Sequence, residues 1–237
     1  MLSHKQYELA FAELCSRTSE YQDLNNWLLK NVELLNLGDI EVALSLGGGT
    51  GIFDNAFKEF LPSLSRYAVV EPNPAHVEEF KKLIKFDERF EFHQKDFEEC
   101  VVESQFDLVI LSHCLYYMNP QFVYETLQKH TKAWLIFHQS EHGINRIQQR
   151  YGDEQTKTKM YCSKNIEDDL AQAKIPYKKH RVDSFIDVSN PNRHFVNFLL
   201  EKEVTDQEFE TVSSFLSKEY SDGRMYHPVD VLKIDMQ

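Results

Sequence analysis

The sequence has few cysteines: Cys15, Cys100, Cys114 and Cys162 are scattered, and none belongs to a C-x-x-C pair. That spacing excludes a disulfide framework of the small secreted kind and predicts a reducing, cytoplasmic setting. Positive charge is also in short supply, with 26 Lys and Arg against 38 Asp and Glu for a formal net charge of -12. A chain so acidic is not expected to work by neutralising many phosphates, which argues against a nucleic-acid partner. The same field would steer a cationic small molecule inwards, and it also keeps a surface soluble. No stretch approaches the roughly 18 apolar residues of a membrane span. The opening MLSHKQYELAF has no basic region followed by an apolar run, so a soluble, unprocessed monomer without a membrane partner is expected. Internal repeats and low-complexity linkers are absent too.

What is present is enough apolar material for one sizeable core, 42% hydrophobic and 13% aromatic in 237 residues. Tyr7, Phe11 and Leu14, then Leu24, Trp27 and Leu28, recur at helical spacing. Ser16 to Ser19 interrupts the pattern and offers caps for a second helix beginning near Glu20 or Tyr21. Residues 1–38 are therefore read as an N-terminal helical cap, and 39–237 as a single α/β unit with an insertion at about 140–165.

From Glu41 the pattern becomes strand, helix, strand. Strands are predicted at 42–46, 67–70, 90–93, 106–111 and 133–137, with helices at 53–60, 74–83 and 120–130. This alternation implies βαβ units and a mostly parallel, Rossmann-like sheet flanked by helices. Residues 140–162 read as helix plus loop, a helix follows Ser163, and the alternating stretches 180–188 and 229–234 read as closing strands, one of them antiparallel.

Chemistry concentrates at a turn. Gly47-Gly48-Gly49-Thr50-Gly51 follows an apolar strand and precedes a helix, where glycines permit positive φ and close approach of a ligand. Glu71 ends the next strand twenty residues beyond Gly51, a place from which a carboxylate accepts both hydroxyls of a ribose. The dinucleotide fingerprint G-x-G-x-x-G fails because Ile52 stands where a glycine or alanine is needed, and no G-K-[ST] makes a phosphate-binding P-loop. Gly47, Gly49 and Gly51 do satisfy G-x-G-x-G.

That form resembles motif I of the class I S-adenosylmethionine-dependent methyltransferases. The resemblance implies that Asp96 meets the adenine amino group with Phe97 beside the ring, and that Ser112 and His113 face the methionine part of the cofactor. Within the class, Leu44 to Gly51, Val69-Val70-Glu71-Pro72 and Leu115-Tyr116-Tyr117 are similar to the histamine N-methyltransferase-like enzymes. The N-terminal Tyr7, Phe11 and Thr18 to Gln22 add to this likeness. It implies S-adenosylmethionine as cofactor, S-adenosylhomocysteine as product, no metal, and methylation of a small acceptor at an amine or imidazole nitrogen.

By that resemblance Tyr7, Phe11, Pro72 and His76 join the cofactor set, and Glu20 holds the cationic end of the acceptor. Tyr116 and Tyr117 supply an aromatic wall, and His227 falls near the family's substrate asparagine. The chain departs from the family where His113 and His76 replace glutamines and Ile144 and Gln148 replace two tryptophans. His113 orients the nucleophile or accepts its proton, since imidazole titrates near neutral pH. An inactive S-adenosylmethionine-binding sensor or partner subunit is the alternative. His138-Gln139-Ser140-Glu141-His142 matches the H-x-x-E-H zinc signature, but its first histidine continues a predicted strand, which is the wrong context for a metal-binding helix.

Overall fold

Alternating short apolar runs and amphipathic segments organise the computed structural model, which describes residues 2–85, 87–100 and 105–236. Strand β1 (Val42–Leu46) pairs in parallel with β2 (Arg66–Val70) and with β4 (Phe106–Ser112). Strand β2 pairs in parallel with β3 (Phe90–His93), and β4 with β5 (Thr131–Gln139). Strands β6 (Lys178–Val182) and β9 (Val229–Asp235) complete a seven-stranded sheet in the order β3-β2-β1-β4-β5-β9-β6. At its two ends β9 is tied to β5 by hydrogen bonds from Met236 N–H to Lys132 C=O and from Ser140 N–H to Pro228 C=O. The partners advance in opposite directions along the chain, so β9 runs antiparallel in a mostly parallel sheet.

The crossovers follow the sequence closely. Helix α3 (Ile52–Phe57), continued by a 3-10 turn at Lys58–Phe60, leads into β2, and α4 (Pro74–Ile84) leads into β3. Asn73 caps α4 by accepting from Ala75 N–H, and Pro74 occupies the first turn, where a missing N–H costs nothing. Helix α5 (Pro120–His130) repeats the device, with Asn119 accepting from Phe122 N–H. The strands bury Ala43, Leu44, Leu46, Val69, Val109, Ile110, Leu135 and Ile136 almost completely, as expected of a parallel sheet covered on both faces.

The chain forms two compact units. The sheet unit comprises Leu24–His138, Asn165–Arg181 and the chain from Asp230 on. The helical unit comprises the chain up to Asp23 together with Gln139–Lys164 and Val182–Val229. In the latter, α1 (His4–Arg17), α6 (Ile144–Tyr151), α9 (Arg193–Leu200) and α10 (Asp206–Glu219) surround a core of Ile147, Ile186, Phe195, Val196, Leu199 and Leu216. Helix α2 (Glu20–Leu35) starts where predicted, and α7 (Glu154–Lys159) and α8 (Ser163–Gln172) fill the segment read as helix plus loop and the helix after it.

The alternating stretch 180–188 is not one strand. It breaks at Asp183-Ser184, because Ser184 exchanges hydrogen bonds with the backbone of His227 and the chain then enters β7 (Phe185–Asp187). That strand pairs with β8 (Arg224–Tyr226) in a separate two-stranded antiparallel sheet. Among the described residues no helix is long and apolar enough to cross a membrane.

Candidate cofactor and acceptor site

The turn after β1 sets its glycines at φ 67° (Gly47), 53° (Gly49) and 80° (Gly51), in the left-handed region that other residues enter at a cost. Side chains are excluded at most of these positions by the protein itself. A Cβ would fall 2.5 Å from the Cβ of Cys114 at Gly47, 2.6 Å from Val69 at Gly48 and 2.2 Å from the Phe80 ring at Gly51. Gly49 differs, because a Cβ there meets nothing within 4 Å. Its missing side chain leaves open space beside a half-buried stretch of backbone, as close approach of a ligand requires.

Glu71 closes the other side of that turn. One carboxylate oxygen accepts from Gly49 N–H at 2.9 Å, and the other accepts from Asn73 N–H at 2.9 Å with His76 Nδ1 3.4 Å away. Burial pushes the carboxyl up, but the contact with His76 and the N–H groups of Asn73 and Gly49 outweigh it, so Glu71 sits below the usual carboxylate range. A carboxylate has about four lone-pair directions, so two such bonds fix its orientation and leave acceptors for a diol. The residues present therefore suit a ribose-bearing cofactor at Gly49 and Glu71.

Under this turn lies a polar triangle that the sequence did not reveal. Tyr67 of β2, fully buried, donates its hydroxyl to Asp54 of α3 at 2.6 Å, and Ser45 of β1 bonds the same carboxyl. Burial drives the Asp54 carboxyl up in spite of both hydrogen bonds. The Tyr67→Phe substitution removes one of the bonds to a buried acid and is expected to cost about 1–3 kcal/mol of stability, measured by urea unfolding.

The remaining sheet-unit residues cluster at the carboxyl ends of the strands. Pro72 follows Glu71 and is exposed, and Asp96 is exposed just beyond β3. Phe97 is buried with its ring against Phe122, centroids 6.0 Å apart. Ser112 ends β4, and His113 follows it with φ 50°, an uncommon backbone for a residue with a Cβ. The ring of His113 lies 5.8 Å from that of His138, which is buried at the end of β5 and 5.6 Å from the Tyr116 ring. Tyr117 is 70% exposed and meets Tyr116 edge-on. His138 stood in the sequence only as part of the H-x-x-E-H match. Its place in β5, with Glu141 and His142 in the segment before α6, separates it from any metal-helix geometry.

Four further candidates lie in the helical unit. Tyr7 and Phe11 of α1 stack on each other at 6.1 Å, and both rings meet Phe198 of α9. Glu20, the first residue of α2, is buried, and its carboxylate lies 3.8 Å from Nε2 of the buried His227. Burial and then the Glu20 charge push the Cys15 thiol up to about 11. Gly143 makes room for His227, since a Cβ there would fall 2.3 Å from its Nδ1. The positions of the family's tryptophans are buried, Ile144 in the apolar core and Gln148 bonded to Glu201.

The strand order, the G-x-G-x-G turn after β1 and the carboxylate after β2 define the Rossmann-like fold of the class I S-adenosylmethionine-dependent methyltransferases. Residues 43–135 match the family model described as a methyltransferase domain. Among solved structures it is similar to the YcgJ protein of Bacillus subtilis, with a TM-score of 0.62 and 11% identity over 89% of this chain and 98% of that one. The plantazolicin methyltransferase BpumL, solved with a desmethyl analog and S-adenosylhomocysteine, gives 0.60 and 12% over 97% and 90%. The N-methyltransferase NodS of Bradyrhizobium japonicum, also solved with S-adenosylhomocysteine, gives 0.53 and 12% over 91% and 87%. A comparison with curated proteins finds no match.

Proposed function

We propose that the protein binds S-adenosylmethionine and transfers its methyl group to a nitrogen of a small amine or imidazole compound, releasing S-adenosylhomocysteine. The observation that carries this reading is the open face of Gly49 beside a carboxylate pre-oriented by Gly49 N–H and Asn73 N–H. When bound, the cofactor supplies an electrophilic methyl on a sulfonium, so the reaction is an in-line displacement that needs alignment and exclusion of water but no covalent nucleophile.

Within this reading Glu71 holds the ribose diol, Asp96 the adenine amino group and Phe97 the ring, with Tyr7, Phe11, Pro72, His76 and Ser112 completing the cofactor set. His113 orients the acceptor nitrogen or takes its proton. Glu20 pairs with a cationic end of the acceptor, and Tyr116, Tyr117 and His227 complete the acceptor set. The resemblance to histamine N-methyltransferase-like enzymes supports nitrogen as the acceptor atom, as does the N-methyltransferase name of NodS. Ile144 and Gln148 in place of the tryptophans favour an acceptor other than histamine.

Calorimetric titration with S-adenosylmethionine tests the cofactor, and labelled-methyl transfer over a panel of amines and imidazoles tests the acceptor. Glu20→Gln is expected to raise KM for a cationic acceptor about tenfold, roughly one charge-assisted hydrogen bond, while leaving cofactor affinity unchanged. A second reading, binding without catalysis, is favoured by the absence at Ile144 and Gln148 of the two tryptophans of the resembled family. Cofactor binding with no transfer to any panel member would select it.

A further inference from the structure

His113 and His138 stand at the carboxyl ends of neighbouring parallel strands, and their geometry says more than either position does alone. The β4–β5 register runs to Ser112 opposite Phe137, and the N–H of His113 continues the ladder to Phe137 C=O at 3.0 Å. At that point the backbone of His113 turns into the left-handed region at φ 50°. A non-glycine residue is held there under strain, and such strain persists where the surroundings over-determine it. What lies against the displaced ring is His138, centroids 5.8 Å apart and planes inclined by 26°. His138 itself is fully buried and meets Tyr116 at 5.6 Å.

We propose that His138 is a positioning residue: its ring is the platform that fixes His113, the group assigned above to the acceptor nitrogen. The inference rests on the proposed methyl transfer for its consequence, but the contact between the rings belongs to the sheet unit alone. It acts through shape. The ring of His138 is fully enclosed, so close packing gives a fixed surface to a residue whose own backbone is strained. Misplacing a group at the reaction centre by about 1 Å is worth up to about a hundredfold in rate, and a loosened His113 falls within that range.

The test compares His138→Phe, which keeps a flat ring of similar volume, with His138→Leu, which fills the space without one. The first readout is the ring-proton NMR signal of His113 in the protein without added ligand, assigned by its loss in His113→Gln. It is expected to stay dispersed and single in His138→Phe, and to shift and broaden in His138→Leu as the rotamer averages. The second is kcat, expected to fall about tenfold in His138→Leu and to recover in His138→Phe, with cofactor affinity unchanged in both. A His113 signal unmoved in His138→Leu overturns the proposal, as does equal displacement in the two variants, which would place the effect in the imidazole nitrogens rather than the ring. Failure of wild-type protein to bind S-adenosylmethionine or to transfer methyl overturns the proposed function instead, and the NMR comparison still decides the role of His138.

Discussion

Gly49→Ala is expected to lower affinity for S-adenosylmethionine about a hundredfold, roughly 2.7 kcal/mol, in a protein that still folds. The left-handed backbone at Gly49, φ 53°, costs alanine about 1 kcal/mol, but the new methyl meets no atom of the protein within 4 Å. It occupies the space opened beside the backbone, which is where the cofactor is proposed to lie. Gly51→Ala supplies the contrast. There the strain at φ 80° is joined by a collision with the Phe80 ring at 2.2 Å, and Phe80 is fully buried with no room to withdraw. Overpacking of this kind costs about 1–3 kcal/mol beyond the backbone strain, so Gly51→Ala is expected to lose stability and cofactor affinity together. Thermal unfolding with calorimetric titration separates the two. Wild-type affinity in a folded Gly49→Ala protein would remove the loop from the cofactor site.

The contrast between these two glycines marks the boundary of what the sequence discloses. The strand, turn and helix around them were legible because period and punctuation agree: apolar runs before the turn, helices opening at Pro74 and Pro120, Glu71 at a strand end. The same local agreement is missing further on. Arg193–Leu200 contains the run His-Phe-Val-Asn-Phe-Leu-Leu, which suits a buried strand as well as a helix. Asn192 caps its start by accepting from Phe195 N–H, and its apolar residues pack with Ile144, Ile186 and Leu216, all outside the run. The stretch 180–188 alternates throughout, yet Ser184 binds the backbone of His227 and divides it between two sheets. The site shows the same split. The glycines, Glu71 and the end of β4 are set by short-range order, whereas the Ser45, Tyr67 and Asp54 triangle joins three elements and leaves no trace in spacing. His138 was visible as a residue, but its role depends on strand register, which a single sequence does not state.

Glu71→Gln is expected to reduce cofactor affinity by about a hundredfold or more, since hydrogen bonds to a charged group contribute about 1.5–3 kcal/mol each. Its structural effect is separable. The wild-type carboxylate gives one oxygen to Gly49 N–H and the other to Asn73 N–H, whereas an amide offers a single oxygen and turns an NH2 towards the second donor. One backbone N–H is thereby left unsatisfied at a cost of about 1–3 kcal/mol. The pH dependence fixes the sign. The carboxyl of Glu71 is held below its ordinary value of 4.5 in the folded protein, so its ionised form adds stability that is fully present above pH 4.5. That contribution is lost as pH falls through the folded value. The stability gap between wild type and Glu71→Gln, measured by urea unfolding, should therefore narrow as pH falls below about 4.5. Because Gly49 N–H and Glu71 are direct partners, the double variant Gly49→Ala, Glu71→Gln should lose less affinity than the sum of the two losses. Full additivity would mean that turn and carboxylate bind separate things, and the case for one ribose held between them would fail.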